Sequence, residues 1–257
     1  MSETLTTTRP TMTLPIMTGR SLRLSLRSPD ALLTALLLPV MLMVVFVYLF
    51  GGAVAIGTSY KNYVLPGVLL LCAVTGASTT AVTVCQDMAS GIIDRLRSLD
   101  VPGTAVLAGH VAASLVRNVA STALVVAVAV GIGFRPHSDP ARLAAALGVL
   151  LLFVAAVAWL AAAFGLAVSA PEAANGAMFF LMFFCYTSSA FVPVRTLPWW
   201  LRGFARHQPA TPVTETLRAL LTGQPAGPHL IAALAWSGGI LAVSVLLSML
   251  LFARRTA

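Results

Sequence analysis

The chain is nearly without lysine: its 257 residues contain one, Lys61, in Ser59-Tyr60-Lys61-Asn62-Tyr63. A phosphate-cradling loop of the pattern G-x-x-x-x-G-K-[ST] needs a lysine after its second glycine, so nothing here can hydrolyse ATP by that route. No HExxH and no CxxC occurs, and His110, His137, His207 and His229 are far apart in the sequence, so no metal site is expected. The three cysteines, Cys72, Cys85 and Cys185, have no paired spacing and lie in or beside apolar runs, which suits small buried hydrophobes. Charge is scarce as well. Only 9% of residues are charged, against about 25% in a soluble domain, too few to clothe a water-facing surface. The eight acidic residues all fall near run ends or in loops, which leaves no array of buried carboxylates for a proton relay. If the chain moves a solute against a gradient, a partner supplies the work.

What the chain does have is apolar length. Hydrophobic residues make up 58% of it, and the mean hydropathy is +0.92. Six apolar runs, about 31–50, 64–85, 104–133, 143–168, 176–192 and 229–252, approach or exceed the roughly 20 residues that a helix needs to cross hydrocarbon. The expectation is an all-α integral membrane protein, with residues 1–28 as a tail and interfacial helix and residues 29–257 as a six-span domain. The first 28 residues lack an apolar core, so the first span is expected to stay as an anchor. Ser28-Pro29-Asp30 and Asp139-Pro140 read as caps with a first-turn proline before the first and fourth runs. Pro39, mid-run, is expected to kink the first helix.

The net charge of +8 sits mostly between or beside apolar runs, where anionic headgroups account for it without nucleic acid. With both termini inside, the inner segments hold eight basic residues and the outer ones seven, which decides nothing. The first span often dominates orientation; Arg20, Arg23 and Arg27 precede it, and only Lys61 follows. Both termini, and residues 86–103, are therefore expected in the cytoplasm. Arg20, Arg23 and Arg27 are spaced like one helix face, so the segment GRSLRLSLRSPD, residues 19–30, is either a short interfacial helix or part of a basic disordered tail; the Thr-rich residues 1–13 are expected to be disordered. Arg117, a dozen residues into the third run, either snorkels to the cytoplasmic surface or faces a polar interior.

Between two long apolar runs lies QDMASGIIDRLRSLD, residues 86–100, with five charges in fifteen residues. Ile92, Ile93, Leu96 and Leu99 recur at helical spacing with Asp94, Arg95 and Arg97 interleaved, which predicts a short amphipathic helix. It either docks in a groove on another protein, its charges fixing register, or lies on the inner leaflet. Residues 193–228 hold two further amphipathic stretches, PWWLRGFAR and TPVTETLRALLTG. Trp199 and Trp200 suit a headgroup-level aromatic belt, so this external segment is expected to be interfacial or re-entrant.

These two polar segments also carry a resemblance. QDMASGIIDRLRSLDVPGTAVLAGHVAASLVRN resembles the cytoplasmic segment of type-2 ABC exporter permeases of the daunorubicin-resistance type, with Asp87, Gly91, Ile93, Asp94, Arg95, Pro102 and Gly109 at the pattern's positions. FARHQPATPVTETLRALLTG is similar to that family's external segment in its Gln208-Pro209 and Arg218-Ala219-Leu220 elements. The similarity spans nearly the whole chain. One departure is Gln86-Asp87, where many members carry Glu-Arg.

The resemblance implies a permease subunit that exports a hydrophobic or amphipathic substrate (a drug or antibiotic, a lipid or a glycan precursor) across the bacterial cytoplasmic membrane. It implies two copies of an ABC-type ATPase, on which ATP and Mg would bind, with no cofactor on this chain, and a second permease copy or a paralogue. The ATPase-coupling residues would be Gln86, Asp87, Gly91, Ile93, Asp94, Arg95 and Arg97, with Arg20, Arg23 and Arg27 of the N-terminal helix. The fifth run packs Phe179, Phe180, Phe183, Phe184 and Tyr186 into eight residues, with Met178 and Met182 beside them; it either lines a substrate path or faces lipid and other helices. Gly76-Ala77-Ser78 could let helices close at a dimer seam. Two further classes are a non-transporting membrane scaffold and a self-powered secondary transporter.

Overall fold

The computed structural model describes residue 19 and residues 29–51, 59–91 and 103–255. Among the described residues every regular element is helical. Helix α1 (Pro29–Val45) runs on through Pro39 into a π-turn, Phe46–Phe50. The other long helices are α2 (Tyr60–Ala89), α3 (Gly103–Gly131), α4 (Pro140–Ala167), α5 (Pro171–Tyr186) and α8 (Pro228–Arg255). Between α5 and α8 lie two short helices, α6 (Trp199–His207) and α7 (Ala210–Thr222).

The sequence's punctuation sets many of these limits. Helices α1, α4, α5 and α8 all begin on a proline, whose missing N–H costs nothing in the first turn. Asp139 caps α4, its side chain accepting the Arg142 N–H at 2.8 Å, as the Asp139-Pro140 pair predicts. Glu172 sits in the first turn of α5, where a carboxylate complements the helix dipole. Gly91, at φ +67°, closes α2, and Gly223, at φ +75°, closes α7.

Among the described residues four helices are long and apolar enough to cross a membrane: α2, α3, α4 and α8. Helices α1 and α5, with 17 and 16 residues, are shorter. The fifth run, expected over 176–192, begins at Pro171 and leaves the helix after Tyr186. Its end is buried: the Thr187 and Ser188 hydroxyls donate back to the Phe183 and Cys185 carbonyls, and the Gln208 amide donates to the Phe184 carbonyl at 2.7 Å. Side chains thus satisfy the carbonyls that a continuing helix would have used, which non-helical backbone at depth requires.

Helix α2 is the centre of the bundle, packed by α1, α3, α4, α5 and α7. Val64, Leu65, Val68, Leu70, Leu71 and Ala77 are all fully buried. Close approach to it depends on small residues. Gly67 lies against Ala190, Gly76 against Asn118 of α3, and Gly165 of α4 against the Ala81 carbonyl. Gly76 and the buried Ala77 therefore serve contacts within the chain. Substituting Gly165→Ala forces a methyl onto backbone and should cost about 1–3 kcal/mol. Gly148→Ala, in open space on the same helix, should cost nothing. Thermal unfolding in detergent compares the two, and equal melting points would contradict this packing.

Candidate functional site: a polar seam and an aromatic face

Of the residues expected to couple to an ATPase, Arg20, Arg23, Arg27, Ile93, Asp94, Arg95 and Arg97 lie outside the described residues. Gln86, Asp87 and Gly91 occupy the end of α2. Gln86 is exposed, whereas its neighbour Asp87 turns inward and is only 9% exposed. There Asp87 Oδ2 lies 3.1 Å from Nε2 of His110, 4% exposed, in the second turn of α3.

Seven residues deeper on both helices, Arg117 Nη2 donates to Thr80 Oγ1 at 3.0 Å. Arg117 thus faces the polar interior, the second of the two expected alternatives. One residue further along α3, Asn118 packs on Gly76 and donates to the Ser114 carbonyl at 3.0 Å. Ser78 Oγ donates to Asn175 Oδ1 of α5 at 2.7 Å. A seam of polar side chains therefore joins α2 to α3 and reaches α5. Sequence reading misses the Asp87–His110 pair. The available signal is that Thr80/Asp87 and His110/Arg117 repeat the same seven-residue interval on two antiparallel neighbours.

The aromatic residues of α5 divide between two directions. Phe179 is 74% exposed, and Phe180, Phe183 and Tyr186 are exposed beside it. Together with half-buried Met182 they bound an apolar groove of about 450 Å³. Phe184 does not line it. Its ring meets Phe180 edge-on at 5.5 Å and lies 5.6 Å from Phe204 of α6. Met178 is in the core. The three cysteines are free and buried.

At the opposite end of α2 the two amphipathic stretches form α6 and α7, much as their periodicity predicts. Helix α6 carries Trp199, 83% exposed, and Trp200 on the surface. Helix α7 is packed by α2, α4 and α8. It is anchored by Arg218, whose guanidinium stacks 3.7 Å from the Tyr63 ring centre and pairs with Glu215 at 2.8 Å. The same group donates to the Tyr63 and Ser189 carbonyls. Arg142 donates to the Gly223 carbonyl and Ser138 to that of Leu220, tying the end of α7 to the start of α4.

Several long apolar helices, a polar seam between two of them and an aromatic face on a third define a multi-pass membrane protein. The ABC-2 type transporter family matches residues 13–222, and the chain belongs to that family as a type-2 ABC permease. It is 30% identical over 231 residues to the daunorubicin resistance ABC transporter permease protein DrrB1 of Streptomyces coeruleorubidus, covering 89% of this chain and 82% of the relative. It is 24% identical over 230 residues to a probable doxorubicin resistance ABC transporter permease protein, DrrC, of Mycobacterium tuberculosis (strain CDC 1551 / Oshkosh), covering 89% and 83%.

Proposed function

We propose that the chain is the transmembrane subunit of an ATP-driven exporter that moves a hydrophobic or amphipathic substrate out of a bacterial cell. The observation that carries this reading is the similarity to drug-resistance permeases along 89% of the chain. The chain crosses the cytoplasmic membrane six times, α1 and α5 completing the set, with both termini in the cytoplasm. A second permease copy or a paralogue faces it. Two ABC-type ATPase subunits bind ATP and Mg and dock on Gln86 and residues 91–97 together with Arg20, Arg23 and Arg27. Closure of the ATPases moves this docking segment, and the helices tilt between inward-open and outward-open states. The exposed rings of α5 offer a sliding surface to an apolar ligand, and Met182 an adaptable one; this face supports a path along Phe179, Phe180, Phe183 and Tyr186, with Phe184 bracing it from behind.

The test is reconstitution of the chain with its ATPase in inside-out vesicles, with daunorubicin and a fluorescent lipid as probes. ATP-dependent uptake of either is the expected result. ATP hydrolysis with neither probe moved would favour the scaffold class, and movement driven by an ion gradient without ATPase the secondary-transporter class.

A further inference from the structure

We propose that Asp87 and His110 form a clasp that makes α2 and α3 move as one arm, so that the two are positioning residues for coupling rather than contacts of the ATPase. This rests on the permease reading above.

The pair spans the base of the two helices that flank residues 92–102, with Asp87 in the last turn of α2 and His110 in the second turn of α3. Val84, Leu107, Val111, Leu166 of α4 and Phe252 of α8 form a compact apolar cluster at this end of the bundle. Separating the partners would break a buried contact between the two helices, which costs more than breaking a surface pair. The hydroxyl of Ser90 returns to the Asp87 carbonyl at 3.2 Å, closing the same turn.

A single tie would act as a hinge. The seam provides a second one, Arg117 to Thr80, seven residues and therefore about 10 Å further along the axis. Ties at two levels resist both splaying and sliding, and Asn118 against Gly76 leaves no slack between them. Force entering between residues 91 and 103 then arrives undiminished at mid-helix. Within this turn Gln86, Ala89 and Ser90 face outward, so the ATPase meets Gln86 and its exposed neighbours while Asp87 holds the arm together.

The experiment uses the full chain, with Cys72, Cys85 and Cys185 replaced by alanine and Val130→Cys labelled with bimane, reconstituted with its ATPase. Val130 is exposed near the far end of α3. ATP with Mg and vanadate should shift the emission of the parent. In His110→Ala, ATPase capture and hydrolysis should stay within about twofold of the parent while the emission shift falls below about a third. The exchange Asp87→His with His110→Asp should restore it, and so should His110→Lys, which keeps an N–H donor opposite Asp87. A full shift in His110→Ala overturns the clasp, as does loss of ATPase capture in that variant or failure of both restoring variants. A parent chain that captures no ATPase overturns the permease reading and the clasp's role with it; that result is distinct because it needs no substitution.

Discussion

Asp94→Lys combined with Arg95→Glu should leave the chain inserted in the membrane and abolish substrate-stimulated ATP hydrolysis by the partner ATPase. The exchange preserves net charge, hydrophobic face and length, so it tests charge pattern alone. In GIIDRLRSL the apolar face of Ile92, Ile93, Leu96 and Leu99 can seat in a groove, but it cannot by itself choose one register along that groove. The interleaved Asp94 and Arg95 can, because each like-charge juxtaposition in a misregistered or reversed pairing costs several kcal/mol. Reversing both should weaken docking by about 3 kcal/mol or more, over a hundredfold in affinity. The measurements are membrane content, ATPase capture and hydrolysis with and without substrate. Normal stimulation in the double variant would refute a coupling role for this segment.

Arg218→Ala should destabilise the bundle by about 3 kcal/mol. One guanidinium stacks on Tyr63, pairs with Glu215 and donates to the Tyr63 and Ser189 carbonyls. It thereby joins α7 to the start of α2 and to the turn that follows α5. Removing it leaves Glu215 half-buried without its cation and two carbonyls short of a donor. Breaking a buried pair from one side costs about 3–5 kcal/mol, and the partial exposure of Glu215 places the expected loss near about 3 kcal/mol. Arg218→Lys keeps the charge but loses the planar fork, so its melting temperature in detergent should fall between those of the parent and the alanine variant. An alanine variant that melts with the parent would mean that α7 is held by its buried Val213 and Leu217 alone.

The helices themselves were legible because hydrocarbon length and proline starts are written locally. The pair Asp139-Pro140 announces α4 and the two amphipathic stretches announce α6 and α7, whereas α5 begins at Pro171, five residues before its expected run. The end of α5 was not legible. Its apolar run continues to Val192, and one of the groups that satisfies the helix end is Gln208, more than twenty residues downstream. The seam was half legible: Arg117 marks itself as an intramembrane charge, but its choice between snorkelling and a polar interior depends on Thr80 lying opposite, which is a fact of helix register. The same holds for Asp87, whose sequence context suggests a contact with a partner and whose side chain faces His110. The aromatic run of α5 could be read as a cluster, but which ring turns to Phe204 and which to the groove is decided by packing.

Helix α8 packs mainly on α4 and α7, and this one-sidedness divides its positions into two kinds. Ser237, Ser244 and Ser248 form a buried stripe seven and four residues apart, and the hydroxyls of Ser237 and Ser244 make no hydrogen bond. Their contribution is small volume, so an alanine could stand there and a leucine could not. On the other side Ile231, Val243, Leu246 and Leu250 are bare, and to an acyl chain one aliphatic group is much like another. Mutational drift in this helix is therefore freer on the outside and confined to the tiniest side chains along the serine stripe.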